Sequence, residues 1–351
     1  MRVLHTADIH LREYGDERWN VLSNLVDIGK KENIDVFAIS GDLFDKETNA
    51  ENLRSKIREV FSGNGYKVIM IPGNHDESAY KDMYFGEDAV VLTDCEKPFQ
   101  FEGVNIWGIP FEEGGEQVIL EKLSSLKGKL SSENTNIILY HGELLDAFFS
   151  RKDFGEEGEV KYMPLRLSYF KDINVDYVLG GHFHSSFDVR TLERKGYFVY
   201  PGSPISITRR ELGQRKVNLF EVGKPPKEYL VESPHFQEIV VRFDPFEDKD
   251  PMQKVRSCLD TAHPKARIIL KITGYTDSRQ SKLKDHELAE QIRKIAGNCI
   301  EVHQEFRDIH VILEDSLFKV FEEKLERSEN PEEKKKEMRD IAIRAMMEAK
   351  L

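Results

Sequence analysis

The stretch KVIMIPGNHD, residues 67–76, decides the fold of this chain. Residues 67–71 form an apolar run of a length that suits a buried β-strand. Pro72-Gly73-Asn74 cannot continue this strand, so the backbone turns and presents Asn74 and His75 at its carboxyl end. For these residues alone, an ordinary surface turn is as good an interpretation as a functional site.

Four further apolar runs end in polar side chains in the same way. They are residues 2–7, 35–40, 136–140 and 176–179. Two helical patterns, over residues 16–31 and 49–61, separate the first three strands. In an open α/β sheet the carboxyl ends of the strands meet at one crevice, so we expect the side chains that follow these runs to lie together. The candidate site residues are Asp8, His10, Asp42, Asn74, His75, His141, His182 and His184.

Each of these residues has an ordinary structural explanation when it is taken singly. An Asp at the end of a strand often caps a turn, and a lone His is usually a packed or surface residue. Together these explanations fail, because five of the eleven histidines directly follow apolar runs. His5, which lies inside the first predicted strand, is expected to pack in the core or to support a neighbouring ligand.

The donor types in this set predict a two-metal site. Four imidazoles, two carboxylates and one amide are too many ligands for one ion and suit two ions, with one carboxylate shared. Nitrogen and oxygen donors without thiolates favour manganese, iron or zinc over calcium or copper. Two divalent ions held by Asp8 and Asp42 leave the centre positively charged, so it attracts phosphate. Paired ions activate water and hold both oxygens of an in-line displacement, and the predicted reaction is phosphoester hydrolysis.

Composition limits the setting in which this chemistry takes place. The longest apolar runs have five or six residues, and the amino terminus enters a strand without a signal-peptide pattern, so we expect a cytoplasmic protein with no membrane span. Three cysteines without a C-x-x-C spacing predict reduced packing residues. The net charge of −12, from 51 basic and 63 acidic residues, opposes nucleic-acid binding at long range.

Local charge patterns predict exposed loops. The basic pairs Arg209-Arg210 and Arg215-Lys216 are more often solvated than part of a contact surface. The charged stretch Arg151 to Lys161 has few apolar anchors, which is typical of a mobile loop, and we expect it beside His141.

The motifs together resemble a known family. Asp8-x-His10, Gly41-Asp42, Gly73-Asn74-His75-Asp76, His141 and Gly181-His182-x-His184 resemble the signature of the calcineurin-like metallophosphoesterases. Within them, residues 6–11, 41–45 and 200–204 are most similar to the double-strand-break repair nucleases, the meiotic-recombination-eleven family and its bacterial counterpart SbcD. The chain departs from that pattern at Arg12, where Gly is common, and at Asp45, where some members have His and others Asp.

The resemblance implies a role for each candidate residue. Asp8, His10 and His184 would hold one manganese ion, Asn74, His141 and His182 would hold the other, and Asp42 would bridge them. Iron and zinc are the alternative metals. His75 would bind no ion; it would position the phosphate and protonate the leaving oxygen.

The resemblance also implies an architecture, an activity and partners. It implies an α/β fold: a layered β-sandwich flanked by helices, a smaller α/β capping domain and a C-terminal helix. We expect a phosphoesterase domain over 1–233, a DNA-binding capping domain over 234–325 and an amphipathic helical segment over 326–351. Family members cut DNA as exonucleases and single-strand endonucleases, form homodimers through the phosphoesterase domain, and work in DNA repair with an SMC-like ATPase.

The apolar side chains of the terminal helix allow two interpretations. The helix predicted over 331–350 packs on its own module, or it docks a partner such as the ATPase. Its apolar stripe comprises Met338, Ile341, Ala342, Ala345, Met346 and Ala349.

Three other functions compete with that of a nuclease. Protein phosphatases of this superfamily typically have Glu where this chain has Asp76, and an Arg-Gly pair absent after Asp42. A small-molecule or cyclic-nucleotide phosphodiesterase on the same metal centre is the main alternative. A catalytically idle scaffold is disfavoured, because it should have lost at least one ligand.

Overall fold

The structure of the chain is a computed structural model that describes residues 1–46, 48–80, 84–146, 163–247 and 250–350. Internal contacts divide it into two compact units, Met1–Phe236 and Gln237–Leu351. The charged stretch Arg151 to Lys161, predicted as a loop beside His141, lies outside the described residues.

The first unit begins with alternating strands and helices and continues mainly with strands. Two short 3-10 turns, Glu77–Tyr80 and Leu167–Phe170, interrupt it. Its elements in chain order are β1 (Arg2–Thr6), α1 (Glu17–Lys31), β2 (Val36–Ser40), α2 (Ala50–Phe61), β3 (Lys67–Ile71), β4 (Ala89–Val91), β5 (Phe99–Phe101), β6 (Val104–Ile109), α3 (Glu116–Lys127), β7 (Thr135–His141), β8 (Tyr177–Gly181), β9 (Asp188–Thr191), β10 (Tyr197–Tyr200), β11 (Lys216–Glu221) and β12 (Glu228–Leu230).

Among the described residues of this unit, the strands form two six-stranded sheets. The first has the order β12-β11-β1-β2-β3-β4, and the second has the order β5-β6-β7-β8-β10-β9. Strands β1 to β4 run parallel, as do β6, β7, β8 and β10, so in each sheet their carboxyl ends share one edge. Antiparallel strands complete both sheets: β11 pairs with β1 and β12 with β11 in the first, and β5 and β9 flank the second.

The two sheets bury a common apolar layer. Val3, Ile69 and Ile71 of the first sheet belong to the same buried cluster as Ile137 and Leu179 of the second. Helices α1 and α2 pack on the first sheet, and α3 packs within the core of the second. Each fully buried side chain of this size contributes about 1.5–3 kcal/mol. The predicted layered β-sandwich flanked by helices is confirmed.

Polar side chains fix where the first two helices begin. Asp16 accepts a hydrogen bond from the backbone N–H of Trp19 at the start of α1. Asn49 accepts one from the backbone N–H of Glu51 at the start of α2. Such caps satisfy backbone donors that have no partner inside the helix.

The second unit has an α/β core followed by helices. Its three-stranded sheet, in the described residues, has the order β13-β14-β15, with β14 and β15 parallel. Its elements are β13 (His235–Phe243), α4 (Pro251–Asp260), β14 (Ala266–Thr276), α5 (Ser278–Ser281), α6 (Asp285–Ile295), β15 (Glu301–Asp308), α7 (His310–Glu314), α8 (Ser316–Glu326) and α9 (Glu332–Lys350).

The sequence prediction was wrong in part of this unit. Its sequence pattern predicts one strand over residues 300–313, interrupted near Arg307-Asp308. In the structure the strand ends at Asp308, and α7 follows it because Ile309 and Ile312 pack into a small cluster with Phe318 and Ile343. Helix α8 was missed altogether.

The terminal helix packs on its own module through a face that differs from the predicted stripe. Ile343 is buried, and Ala342 and Met346 pack against the same cluster. The face also includes Arg339, whose guanidinium bonds Glu322 of α8 at 2.7 Å. By contrast, Ile341 is 66% exposed, and Ala345 and Ala349 are exposed too. The helix therefore buries part of the stripe and presents the rest to solvent.

Two predictions from composition can be compared with the structure. The cysteines Cys95, Cys258 and Cys299 are free, as expected of packing residues. Among the described residues, no helix combines the length and the apolar character that crossing a membrane requires.

Candidate metal centre

The candidate residues lie at the carboxyl ends of strands from both sheets. Asp8, His10, Asp42, Asn74 and His75 follow β1, β2 and β3 of the first sheet. The second sheet supplies His141 at the end of β7 and His182 and His184 after β8. The structure brings all of them together, as the strand-end argument predicts, and all except Asn74 and His75 are buried.

Asp42 lies at the centre of this cluster. Its Oδ1 accepts a hydrogen bond of 3.0 Å from the backbone N–H of His75. Its Oδ2 is buried and accepts no hydrogen bond from the described residues. The imidazole Nε2 atoms of His141, His10 and His75 lie 3.5, 3.7 and 4.0 Å from this oxygen.

All three distances are longer than a hydrogen bond, and the 3.5 Å distance to His141 is in the range of two atoms that bind one ion. Hydrogen bonds of this kind have lengths of about 2.7–3.2 Å. Atoms that bind the same ion at about 2.1 Å lie roughly 3–3.5 Å apart. A buried carboxylate oxygen without a hydrogen bond is costly unless a cation neutralises it. The position of Asp42 Oδ2 is therefore that of an oxygen that divalent ions can share.

Potential ligand atoms lie close together around Asp42. Nε2 of His184 lies 3.7 Å from Asp8 Oδ1 and 3.3 Å from Nε2 of His10. Nε2 of His141 lies 2.8 Å from Asn74 Oδ1, and the ring of His182 lies 5.4 Å from that of His141 between centroids. Asp8 forms one possible metal-binding group with His10 and His184 and another with Asp42 and His141.

Four of these residues have left-handed backbone conformations. The φ angles of Asp8, His10, Asp42 and His182 are 57°, 51°, 52° and 92°. Such angles are uncommon outside glycine and cost about 1–3 kcal/mol each. Backbone bonds hold the strained segments side by side: the N–H of Asp8 donates to the Gly41 carbonyl and that of His10 to the Asp42 carbonyl. Strain of this kind clusters at functional sites.

The charges in the cluster are interdependent. Burial raises the pKa of Asp8 to about 6. Burial also lowers the pKa values of His10 and His182 well below normal, which keeps these imidazoles neutral. Although burial opposes it, the charge of Asp42 raises the pKa of His141 to about 9. A bound cation would replace this proton, because metal ligands bind as ionised carboxylates and neutral imidazoles.

A second layer of groups orients His141. Its Nδ1 lies 2.8 Å from the carbonyl oxygen of Ser40 at the end of β2. The hydroxyl of the same serine lies 3.1 Å from Nε2 of His5. His5 is fully buried, and burial lowers its pKa to about 3, so it is neutral. His5 is therefore packed in the core beside Ser40, whose carbonyl oxygen faces His141.

Glu211 supports His184, and sequence reasoning missed it. Its carboxylate accepts bonds from the backbone N–H groups of Ile207 and Thr208 at 2.7 and 3.1 Å and from the hydroxyl of Ser203 at 3.0 Å. Its Oε1 also lies 3.6 Å from Nδ1 of His184. A carboxylate behind a metal-binding imidazole fixes its orientation and raises its basicity.

The structure contradicts the prediction that the pair Arg215-Lys216 is solvated. Arg215 is 3% exposed. Its guanidinium donates 3.0 Å bonds to the carbonyls of Ser203 and Ser185, and it also bonds the carbonyl of His184. A basic pair in the sequence does not reveal a partner that lies thirty residues away.

Replacing Glu211 with Gln is expected to weaken metal binding at the His184 side about 10- to 100-fold, because the negative charge behind the imidazole is lost. Manganese titration followed by electron paramagnetic resonance measures this affinity. Thr208→Val is the matched control, since it removes a hydroxyl that donates to Glu211 Oε1 at 3.0 Å and leaves the carboxylate in place. If both variants lose the same metal affinity, the structure of the loop around residues 207–211 and not the charge of Glu211 supports metal binding.

Gly181 lets the two sheets approach each other at the site. A Cβ atom at this position would lie 2.0 Å from the carbonyl oxygen of Ser40 and 2.9 Å from Nδ1 of His141. Gly181→Ala is expected to lower the free energy of unfolding by about 1–3 kcal/mol and to displace His141. Urea denaturation measures the loss. Gly128→Ala, at a helix end with open space around it, should leave stability nearly unchanged.

His75 lies at the edge of the cluster beside two further groups. Its Nδ1 is 3.9 Å from Asp45 Oδ1. Asp45 Oδ2 in turn accepts bonds from Arg12 at 2.6 Å and Arg18 at 2.7 Å. Although burial opposes it, these two guanidinium groups lower the pKa of Asp45 to about 2. Asp45 is therefore a fixed negative charge facing His75.

Asp76 holds the turn that carries Asn74 and His75. Its carboxylate accepts bonds from the backbone N–H of Gly73 at 2.8 Å and of Phe44 at 3.0 Å. Asp76 is 1% exposed, and burial raises its pKa to about 7. It thus connects the segments that follow β2 and β3.

Comparison with known proteins identifies a family and a relative that this chain resembles. A model of the calcineurin-like phosphoesterase family matches residues 1–186, just over half of the chain. The chain is also similar to the DNA double-strand break repair protein Mre11 of Saccharolobus solfataricus, with 31% identity over 158 residues. That match covers 40% of this chain and 41% of the Mre11 protein, so it spans about two fifths of the relative's length.

Solved structures with partial similarity have low sequence identity. The crystal structure of TT1561 of Thermus thermophilus is 15% identical, with a TM-score of 0.41, and covers 62% of this chain and 92% of its own. A 5'-nucleotidase precursor from the same organism is 15% identical, with a TM-score of 0.40, and covers 66% of this chain and 54% of its own.

Proposed function

Because the chain belongs to the calcineurin-like phosphoesterase family and is a metal-dependent hydrolase, we propose that it is a nuclease that cleaves the phosphodiester bonds of DNA. The observation that carries the proposal is the buried Asp42 Oδ2, which lies between two groups of ligand atoms. The similarity to a DNA double-strand break repair protein supports DNA as the substrate.

We assign the ligands as two sets that share one residue. Asp8, His10 and His184 would hold one ion, Asn74, His141 and His182 the other, and Asp42 both. When bound, such a pair supplies activated water and charge that stabilises the phosphoryl transition state. The mixed nitrogen and oxygen donors favour manganese, with iron or zinc as alternatives.

His75 has the position of a general acid. It is 15% exposed at its side chain, so a substrate can reach it, whereas the ligand imidazoles are more deeply buried. Its backbone N–H donates to Asp42, which fixes its place beside the ions. The ionised Asp45 next to Nδ1 stabilises the protonated imidazole, and Nε2 is then the atom that donates a proton to the leaving oxygen.

We extend the proposal to the finer activities and partners that the family resemblance implies. The chain would act as a manganese-dependent exonuclease and single-strand endonuclease in DNA repair. It would form a homodimer through the phosphoesterase domain and work with an SMC-like ATPase. The 66% exposed Ile341 on α9 supports the ATPase proposal, because this part of the apolar stripe does not pack on its own module.

The function is tested by comparing three substrates with the metal-free and manganese-loaded protein. The substrates are duplex DNA, single-stranded DNA and bis(p-nitrophenyl) phosphate. Manganese-dependent degradation of DNA is the expected result. Hydrolysis of the small ester together with intact DNA would instead favour a small-molecule or cyclic-nucleotide phosphodiesterase. No hydrolysis of any substrate would favour an idle scaffold.

A further inference from the structure

Arg12 lies at the mouth of the candidate site, two residues after His10. Its position is fixed by the neighbouring Leu11, whose N–H donates a 2.8 Å bond to the carbonyl of Leu43, so the chain segments after β1 and β2 stay paired. Its Nε donates a 2.6 Å bond to Asp45 Oδ2, and Asp45 Oδ1 faces His75. One carboxylate thus separates the Arg12 guanidinium from the proposed general acid.

Two arginines contact the single carboxylate of Asp45, and they differ in exposure. The side chain of Arg18 is 13% exposed and bonds both Asp45 and the carbonyl of His10. The side chain of Arg12 is 61% exposed and bonds Asp45 through its Nε. Arg18 alone balances the charge of Asp45. Arg12 is therefore a surplus positive charge that faces solvent at the edge of the site.

We propose that Arg12 binds the phosphodiester group next to the scissile one on a nucleic-acid strand. This inference rests on the proposed nuclease function and assigns a substrate contact to a residue outside the metal cluster. Asp45 lies between Arg12 and His75, so the guanidinium reaches a group farther out than the phosphate that contacts His75. A strand has a phosphate there, whereas a simple phosphodiester has none.

The chemistry of both partners fits this contact. A guanidinium presents several N–H donors in one plane and binds phosphate oxygens through two of them. An exposed ion pair such as Arg12 with Asp45 contributes little stability, so exchanging it for phosphate costs little. The chain has a net charge of −12, so a local cation is needed to hold a polyanion beside the site.

The test compares Arg12→Gln with the wild-type protein on two substrates. For a single-stranded oligonucleotide we expect KM to rise about tenfold with kcat nearly unchanged. For bis(p-nitrophenyl) phosphate, which has one phosphate, we expect a much smaller effect, because Arg18 still bonds Asp45 and keeps it ionised. Fluorescence anisotropy without metal should show oligonucleotide binding about tenfold weaker at low salt. The slope of log K against log salt concentration should fall by about one.

Two further variants complete the experiment. Arg12→Lys keeps the charge and should retain most of the binding. Arg194→Gln is the matched control, because this exposed arginine lies in the turn before β10, at the opposite edge of the sheet from the site, and it should behave like wild type.

Each other outcome has a definite meaning. If Arg12→Gln slows both substrates equally, Arg12 acts through Asp45 and His75, and the phosphate contact is wrong. If it changes neither substrate, the pair with Asp45 is an ordinary surface ion pair, and the inference is again wrong. If the wild-type protein hydrolyses the small ester but no oligonucleotide, the proposed nuclease function itself fails, independently of any result with Arg12.

Discussion

Replacing His75 with alanine is expected to slow phosphodiester cleavage about a thousandfold while the bound metal stays nearly constant. The imidazole that donates the proton is lost, and general acid catalysis contributes about 10²–10⁴-fold to a rate. The backbone N–H that holds Asp42 Oδ1 is present in alanine as well, so the centre of the cluster keeps its geometry. Steady-state kinetics on a single-stranded oligonucleotide, whose alkoxide leaving group needs a proton, and metal content from mass spectrometry measure the two effects separately.

His303 provides a control for this experiment. It is 55% exposed at its side chain and pairs with Glu301 in the second unit, so His303→Ala should change neither activity nor metal content. If His75→Ala loses metal in proportion to its activity, His75 is a ligand and its assignment as general acid is wrong.

The second large effect is expected from Asp42→Asn. The amide keeps an oxygen that can accept the bond from the N–H of His75, but it has no negative charge to share between two ions. We therefore expect the affinity for both ions to fall more than about a hundredfold and cleavage to be lost with them. Isothermal titration with manganese gives the affinity and the number of ions bound.

Asp172→Asn is the matched control, because the side chain of Asp172 is 69% exposed. Thermal unfolding of the metal-free proteins should show that Asp42→Asn still folds. A variant that binds one ion with wild-type affinity would show that Asp42 belongs to a single ion, and the shared-carboxylate assignment would then fail.

Much of the first unit could be predicted from sequence because its signals are local. Strand β3 is an apolar run stopped by Pro72-Gly73, and α2 begins at an Asn that caps it. The second unit was harder. The apolar pattern of residues 309–313 fits a strand as well as a helix. Contacts with Phe318 and Ile343 favour the helix. Tertiary packing decides such short segments.

The candidate ligands could be predicted because each directly follows a strand. Glu211 could not, since it lies in a loop and reaches His184 only through the folded arrangement of residues 203–215. The proposed role of Arg12 could not be predicted either. The sequence shows only that Arg12 departs from a family pattern, whereas the structure shows that Arg18 bonds the same carboxylate.

The proposed ligands come from two sheets, and this matters for a chimera that combines segments of this enzyme and a related one. Residues 99–200 form the second sheet and carry three of the seven proposed ligands, while Asp8, His10, Asp42 and Asn74 follow strands of the first sheet. A chimera that exchanges this segment would inherit three proposed ligands from one parent and four from the other. Such a chimera would bind metal ions only if the two sheets pack at their original spacing. Its metal affinity would therefore measure whether the sheets pack correctly.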